Sequence, residues 1–324
     1  MLRRILLFVA ALLVLAVAAA AAYVASRQNL KFDAPYPEIA ASADSADVAR
    51  GEYLMSAVTD CAACHGDPAR RDSLMAGAHV PLSGGFHWEI PPGKFYARNI
   101  TPDSATGIGA LSDAAIARAL RHGVGHDGRA LLPFMEMQGL SDEDLVAVIS
   151  YLRRQEPVRH LVPAHEYTLL GKVVRATLLA NPIGPSGTPP RVSPRGATVE
   201  NGRYLAEAVA LCWACHTQRD MVSGKLVGPR YGGATGFTEA NDPAHVWAPP
   251  NLTKDPETGV LGRMNEDQFV ARFRAGRVIP GSPMPWQHFA RMTEEDLRAI
   301  YRFLETVPPV QRNVGPPVAE VAGK

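Results

Sequence analysis

Two copies of the pentapeptide Cys-x-x-Cys-His, at residues 61–65 and 212–216, contain all four cysteines of the chain. On a helix, cysteines at positions i and i+3 lie on one face, where they can meet the two vinyl groups of a porphyrin. The histidine that follows can present its imidazole to the iron as the proximal ligand. The pattern therefore predicts two sites of covalent haem c attachment. The expected attachment and ligand residues are Cys61, Cys64, His65, Cys212, Cys215 and His216.

Three other interpretations of paired cysteines fit the sequence less well. A zinc site would bring the two Cys-x-x-Cys pairs together and would leave both trailing histidines unexplained. A thioredoxin-like redox pair follows a strand of a βαβ unit, and no such pattern surrounds either motif. Disulfides can form in an exported chain, but they do not require the histidine.

The N-terminus reads as a membrane-directed segment. Arg3 and Arg4 precede an apolar run from Ile5 to Val24. A helix of this length spans about 30 Å, the thickness of a bilayer's hydrocarbon core. The arginines place the N-terminus inside and the rest of the chain outside. We expect a retained inner-membrane anchor with the haem domains in the periplasm; the alternative is a signal peptide cleaved near 18–22, which leaves a soluble periplasmic protein.

Charge and composition exclude one class of function and indicate the kind of loops in the fold. The chain has 33 Lys and Arg against 32 Asp and Glu, so it lacks the basic excess of a nucleic-acid-binding protein. Its 27 prolines and 28 glycines are many for a helical protein and predict long ordered loops between short helices.

The chain repeats itself at a period near 151 residues. Gly-x-Tyr-Leu at 51–54 returns at 202–205, Asn-x-Thr at 99–101 returns at 251–253, and an acidic segment at 141–145 returns at 293–297. This repeat predicts two modules of one plan, joined by a connector. The expected divisions are an anchor or signal peptide at 1–28, cytochrome c-like domains at 46–156 and 197–312, a connector at 157–196 and a tail at 313–324.

The periodicity of apolar residues predicts a mainly α fold. Together with the repeat and the two motifs, it predicts two tandem short-helix bundles, each wrapped around a covalently bound haem. The N-terminal transmembrane helix precedes them. Ser141 and Thr293 are good N-caps for the last helix of each module, with Asp144 and Asp296 three residues on as a substitute for the capping box. Each of these helices should pack on the helix before its Cys-x-x-Cys-His motif. Shorter helices are expected after Ser112 and near Asn265, and no strand pattern persists. 

The connector combines a helix and a linker. Residues 167–180 predict an amphipathic helix that either packs on a haem module or lies on the bilayer surface. Residues 181–196, which are rich in proline and glycine, predict an extended linker.

An electron-transferring haem iron needs a second axial ligand. In the second module Met284 lies between two prolines, a rigid loop suited to hold a thioether at the iron. In the first module a loop shorter by three residues makes Met135 the corresponding ligand. Met137, His122 and His126 remain alternatives.

Two further sets of polar residues have weaker signals. Asn99 and Asn251 either form turns or donate a hydrogen bond at the haem edge. Histidines without a partner pattern are expected at the surface: His87, His160, His165, His245 and His288.

Both modules resemble class I cytochrome c domains. The segment Asn-Ile-Thr-Pro-Asp…Thr-Gly-Ile-Gly at 99–109, the late methionine and the Ser-Asp-Glu-Asp-Leu helix start at 141–145 resemble the cytochrome c subunits of membrane-bound alcohol and gluconate dehydrogenases. Those subunits usually carry three haem modules, take electrons from a catalytic partner and pass them to ubiquinone. This chain has two motifs.

The resemblance and the motifs together predict a dihaem cytochrome with two haem c groups that relays electrons in a periplasmic respiratory chain. A dehydrogenase is the expected donor, and quinone, a soluble carrier or a terminal oxidase is the expected acceptor. We expect such a chain to act as an electron-transfer protein or as a subunit of an oxidoreductase complex, and not as an enzyme by itself. The alternative is a dihaem peroxidase with an open or displaceable distal ligand on the first haem and Glu136 as its acid–base residue. A thiosulfate dehydrogenase fits less well, because that dihaem class typically uses a cysteine as an axial ligand and all four cysteines here lie in the two motifs.

Overall fold

A computed structural model of the chain describes residues 1–220, 224–239 and 242–320. Its described part is mainly helical, as the periodicity predicts. The helices are α1 Leu2–Ser26, α2 Ser45–Tyr53, α3 Ala62–His65, α4 Arg71–Met75, α5 Asp113–His122, α6 Asp142–Arg154, α7 Leu169–Ala176, α8 Val199–Tyr204, α9 Cys212–His216, α10 Glu266–Arg274, α11 Trp286–Phe289 and α12 Glu294–Leu304. Two 3₁₀ turns lie at Pro68–Arg70 and Leu261–Arg263.

The two sequence repeats, residues 46–156 and 197–312, have the same helical frame. In the first repeat α2 packs on α6, and in the second α8 packs on α12; both pairings were predicted and are confirmed. Each pair meets at a glycine. A Cβ atom on Gly51 would lie 2.0 Å from the Ala147 carbonyl oxygen, and one on Gly202 would lie 1.8 Å from that of Ala299. Only a residue without a side chain allows the backbones to approach this closely.

The predicted helix starts are confirmed. The side chains of Ser112, Ser141 and Thr293 each accept a hydrogen bond from the backbone N–H three residues on. Asn265 forms a full capping box with Gln268. Asp144 differs from the expectation, because its carboxylate binds Arg50 and Tyr204.

The apolar stripes of α6 and α12 are buried in one continuous core. The stripe residues in this core are Leu145, Val148, Ile149, Leu152, Leu297, Ile300, Tyr301 and Leu304. Because side chains from both repeats share this core, the two repeats form one packed body.

Two small antiparallel sheets were not expected from the sequence. The first contains β1 His87–Ile90, β2 Gly93–Tyr96 and β3 Glu166–Tyr167. The second contains β4 Phe237–Glu239, β5 Asp242–Trp247 and β6 Val318–Glu320. Strands β3 and β6 lie outside the predicted domain limits of 156 and 312. Each repeat therefore continues structurally into the segment that follows it; residues 321–324 of the tail lie outside the described residues.

The repeats exchange hydrogen bonds through two equivalent tyrosines. The Tyr53 hydroxyl donates to Asp296 of the second repeat at 2.6 Å, and the Tyr204 hydroxyl donates to Asp144 of the first, also at 2.6 Å. Each hydroxyl also accepts the backbone N–H of the helix N-cap, Thr293 or Ser141 respectively. This reciprocal pattern relates the two repeats by a pseudo-twofold arrangement.

Helix α1 lies outside the packed body. Within the described residues it is the one helix with the length and apolar composition to cross a bilayer, and a cleaved signal sequence has the same properties. Its apolar window is not buried by the rest of the chain.

Candidate haem sites

The two Cys-x-x-Cys-His motifs sit at the same place in the two repeats. Helices α2 and α8 each end in one turn of π-helix, Leu54–Val58 and Leu205–Val209. The residue before the first cysteine then takes a left-handed conformation, with φ of 51° at Asp60 and 52° at Leu211. Such a residue turns the chain sharply, so that a new short helix begins at each motif.

Each motif histidine is fixed by a hydrogen bond to a backbone carbonyl. Nδ1 of His65 lies 2.7 Å from the Arg98 oxygen, and Nδ1 of His216 lies 2.8 Å from the Pro250 oxygen. A carbonyl oxygen only accepts, so Nδ1 must carry the proton. Burial lowers the pKa of both imidazoles and favours their neutral form, in which Nε2 holds the lone pair. This is the tautomer that binds a metal through Nε2.

The first cysteine of each motif lies in an apolar environment. Burial raises the pKa of the Cys61 thiol to about 11 and that of Cys212 to about 12. A thioredoxin-like pair requires the opposite shift. None of the four cysteines is in a disulfide, and among the described residues no three His, Cys, Asp or Glu side chains converge on an ion site.

The Met284 loop is closed by its own residues. The Trp286 N–H donates to the Met284 carbonyl at 2.8 Å, and the Trp286 indole lies 3.3 Å from the Ser282 hydroxyl. The half-buried Met284 side chain packs against the hydrophobic core, as do Cys212 and Trp213 of the second motif. These contacts favour a fixed position for the thioether.

The corresponding loop of the first repeat is less clearly arranged. Met135 and Met137 are both half-buried, and Met137 packs against the core. His126 is exposed, and burial lowers the pKa of His122. Glu136, the candidate acid–base residue of a peroxidase, lies 3.5 Å from Arg219 of the second repeat. This ion pair links the two repeats and gives Glu136 a structural role between them.

Asn99 and Asn251 have structural roles. In each repeat the asparagine Oδ1 accepts from the backbone N–H and the hydroxyl of the threonine two residues on. Its Nδ2 donates to a nearby threonine hydroxyl and to the carbonyl of Val158 or Val310. Both amide protons are thereby used. The turn interpretation is correct, and the side chain fastens the segment that follows α6 or α12.

Comparison with known proteins agrees with this architecture. Residues 46–152 match the family described as cytochrome C oxidase, cbb3-type, subunit III. The cytochrome c subunit of the quinone-dependent alcohol dehydrogenase from Gluconobacter oxydans is 30% identical over 85% of this chain. The gluconate 2-dehydrogenase cytochrome c subunit from Pantoea cypripedii is 30% identical over 82% of the chain. This chain resembles the cytochrome c subunits of alcohol and gluconate dehydrogenases.

The cytochrome c relatives differ in length. The chain spans 58% and 60% of the two dehydrogenase subunits. A diheme cytochrome c-type protein from Cereibacter sphaeroides is 28% identical over 82% of this chain, which spans 87% of that protein. The cytochrome c likeness implies covalently bound haem. The donor set fits that group, because the first cysteine of each motif packs against the core and each motif imidazole has its Nε2 free to ligate.

The sequence did not predict a polar link between the two repeats that involves His288. His288, expected at the surface, is buried and joins α11 to the end of α2. Its Nδ1 lies 2.8 Å from the Ser56 carbonyl oxygen and its Nε2 lies 3.1 Å from Asp60 Oδ1. With Nδ1 donating, Nε2 and the carboxylate need one shared proton. Burial raises the pKa of Asp60 to about 7, which favours that proton on the carboxyl group.

Proposed function

We propose that this chain is a dihaem c-type cytochrome that relays electrons between a dehydrogenase partner and quinone, a soluble carrier or a terminal oxidase. The proposal includes two cytochrome c domains, at 46–156 and 197–312, each with one haem c. The observation that carries it is the equivalent fixing of His65 and His216 by a backbone carbonyl. The same ligand geometry in both repeats supports two sites of one kind.

Haem c, when bound, supplies one-electron redox chemistry. The chain's own residues would hold it: Cys61 and Cys64, or Cys212 and Cys215, as thioethers, and His65 or His216 as the proximal ligand. Met135 and Met284 are the proposed distal ligands. A thioether in this position raises the reduction potential relative to histidine. With both axial positions taken by side chains, neither site would be open to a substrate, which favours a relay over a peroxidase.

The proposed location of the chain depends on helix α1. Helix α1 would anchor the chain in the inner membrane, with both repeats in the periplasm; after cleavage of a signal peptide they would be soluble there. A dehydrogenase partner is supported by the names of the relatives. The nearly balanced charge gives no support for a nucleic-acid partner.

Haem content tests the proposal directly. We expect the purified protein to carry two covalent haems per chain by the pyridine haemochrome assay. The paired variants C61A/C64A and C212A/C215A should each carry one, since each pair is one attachment site. Ala63→Ser, which leaves the donor set intact, should keep both. One haem in the unaltered protein, or two in either paired variant, would refute the dihaem assignment.

The visible spectrum of the ferric protein, recorded with and without hydrogen peroxide, distinguishes a relay from a peroxidase. A relay with two methionine-ligated irons shows low-spin spectra that hydrogen peroxide leaves unchanged. A high-spin signal together with peroxide turnover would contradict the relay and favour the enzyme.

The distal ligand of the first haem can be assigned by substitution. We expect Met135→Leu to remove about half of the methionine–iron charge-transfer absorbance, because one of two irons loses its sulfur ligand. Met284→Leu should remove the other half. Met137→Leu is the matched control in the same loop and should leave the band intact. Loss of the band in Met137→Leu, with retention in Met135→Leu, would transfer the assignment to Met137.

A further inference from the structure

Helix α7, in the connector, exposes an apolar face that nothing in the packed body covers. Leu169 is 78% exposed, and Leu170, Val173 and Leu178 are also exposed. On a helix the first three lie within an arc of about 100°. Adjoining apolar side chains that are exposed to solvent generally mark a surface that contacts a membrane or another molecule.

The opposite face of α7 is fixed to the first repeat. Arg175 is buried and donates to the Ala130 carbonyl at 2.8 Å. A Cβ atom on Gly171 would lie 1.8 Å from the Pro92 carbonyl oxygen, so the helix backbone touches the turn between β1 and β2. Thr168, the N-cap, also donates to the Pro91 carbonyl. The exposed face therefore cannot turn inward without breaking these contacts.

The end of α1 holds α7 from another side. The Arg27 guanidinium donates to the Ala176 carbonyl at 2.8 Å, and the Gln28 amide donates to the Lys172 carbonyl at 2.9 Å. Arg27 also lies over the Tyr23 ring, 5.3 Å from its centroid. Tyrosine and arginine at the end of an apolar helix are typical of the membrane–water interface.

The length of α1 sets the depth of this contact. Its 25 residues extend about 37 Å at the helical rise, longer than a hydrocarbon core of about 30 Å. The last turn of a spanning α1 therefore emerges among the lipid headgroups, and α7 is bonded to the residues just beyond it. Lys172, exposed at the edge of the apolar face, can extend its ammonium to the headgroups.

We propose that α7 lies on the outer surface of the inner membrane, with Leu169, Leu170 and Val173 inserted at the lipid boundary. The occupant of the face is the bilayer itself. This inference rests on the proposed anchoring by α1. The surface contact would fix the orientation of the first repeat on the membrane, since α7 is attached to that repeat and to the anchor.

Spin-label accessibility in the full-length holoprotein tests this placement. With the native cysteines in thioether bonds, Leu169→Cys introduces the residue to be labelled. The protein is reconstituted in vesicles of phosphatidylethanolamine and phosphatidylglycerol. We expect the label at 169 to collide more often with oxygen and less often with a water-soluble nickel complex than a label at Val192→Cys. Val192 is 71% exposed and lies in the linker, so it is the aqueous reference.

A label at Val14→Cys, in the middle of α1, distinguishes the membrane anchor from the surface contact of α7. A lipid signature at 14 with an aqueous one at 169 would overturn the surface contact and leave the anchor standing. Aqueous signatures at both positions would overturn the anchor as well. Reduced collisions with both reagents at 169 would mean that a protein covers the face, and would also overturn the lipid assignment.

Discussion

Gly202→Ala should destabilise the protein by about 3 kcal/mol or more, a loss near the upper end for overpacking substitutions. The added methyl carbon would lie 1.8 Å from the Ala299 carbonyl oxygen and 2.8 Å from Phe303 Cβ. Neither neighbour can move alone, because both belong to α12, which is held at its N-terminus by the Tyr53 bonds. Alanine otherwise favours a helix by about 1 kcal/mol over glycine, so a loss of stability reports the helix contact and not propensity.

Urea unfolding followed by far-UV circular dichroism measures this effect. Gly51→Ala should behave alike, since its Cβ would lie 2.0 Å from the Ala147 carbonyl oxygen. Gly187→Ala is the control, because its Cβ would meet nothing within 4 Å. Its free energy of unfolding should stay within about 0.5 kcal/mol of that of the unaltered protein. Equal midpoints for Gly202→Ala and Gly187→Ala would show that α8 and α12 do not pack through this glycine.

Helix starts and core stripes were predictable because their causes are local. An N-cap such as Ser141 and an apolar residue such as Leu145 act within one or two turns of the same helix. The role expected for the motif histidines was likewise a local prediction, made from their position next to the second cysteine. Their carbonyl partners were not, because Arg98 and Pro250 lie more than thirty residues away in sequence.

The expectations that failed depend on distant partners. Strands β1 and β2 are four residues each, and the third strand comes from the connector, so no alternating run marks the sheet. His288 was expected at the surface because its partners, Ser56 and Asp60, belong to the other repeat. The recurring tyrosine of Gly-x-Tyr-Leu was a visible signal of the inter-repeat bonds, but its meaning required the structure.

Asp144→Asn should cost about 3 kcal/mol, because it removes the counter-charge of a largely buried arginine. The Asp144 carboxylate accepts from Arg50 at 2.9 and 3.1 Å and from the Tyr204 hydroxyl. The Arg50 side chain is 16% exposed, so water compensates little of the loss. Asparagine keeps the shape of the side chain, and the effect therefore reports charge and hydrogen bonding together.

The second repeat provides the matched control, because Asn201 stands where the first repeat has Arg50. Asp296 accepts from Asn201 and from Tyr53. Both donors are neutral, so Asp296→Asn leaves no buried charge without its partner there and should cost only about 1 kcal/mol. Equal losses in both variants would contradict the charge argument.

Acid unfolding gives a second test of the Asp144 charge. Burial alone would raise the pKa of Asp144, but hydrogen bonds from Arg50 and Tyr204 hold it below its usual value. A carboxyl group with a lowered pKa stabilises the fold above its ordinary pKa of about 4, and that contribution disappears as the pH falls through the folded-state value. The stability difference between the unaltered protein and Asp144→Asn should therefore be full at neutral pH and shrink in acid. A difference that stays constant into acid would mean that Arg50 does not stabilise the Asp144 charge.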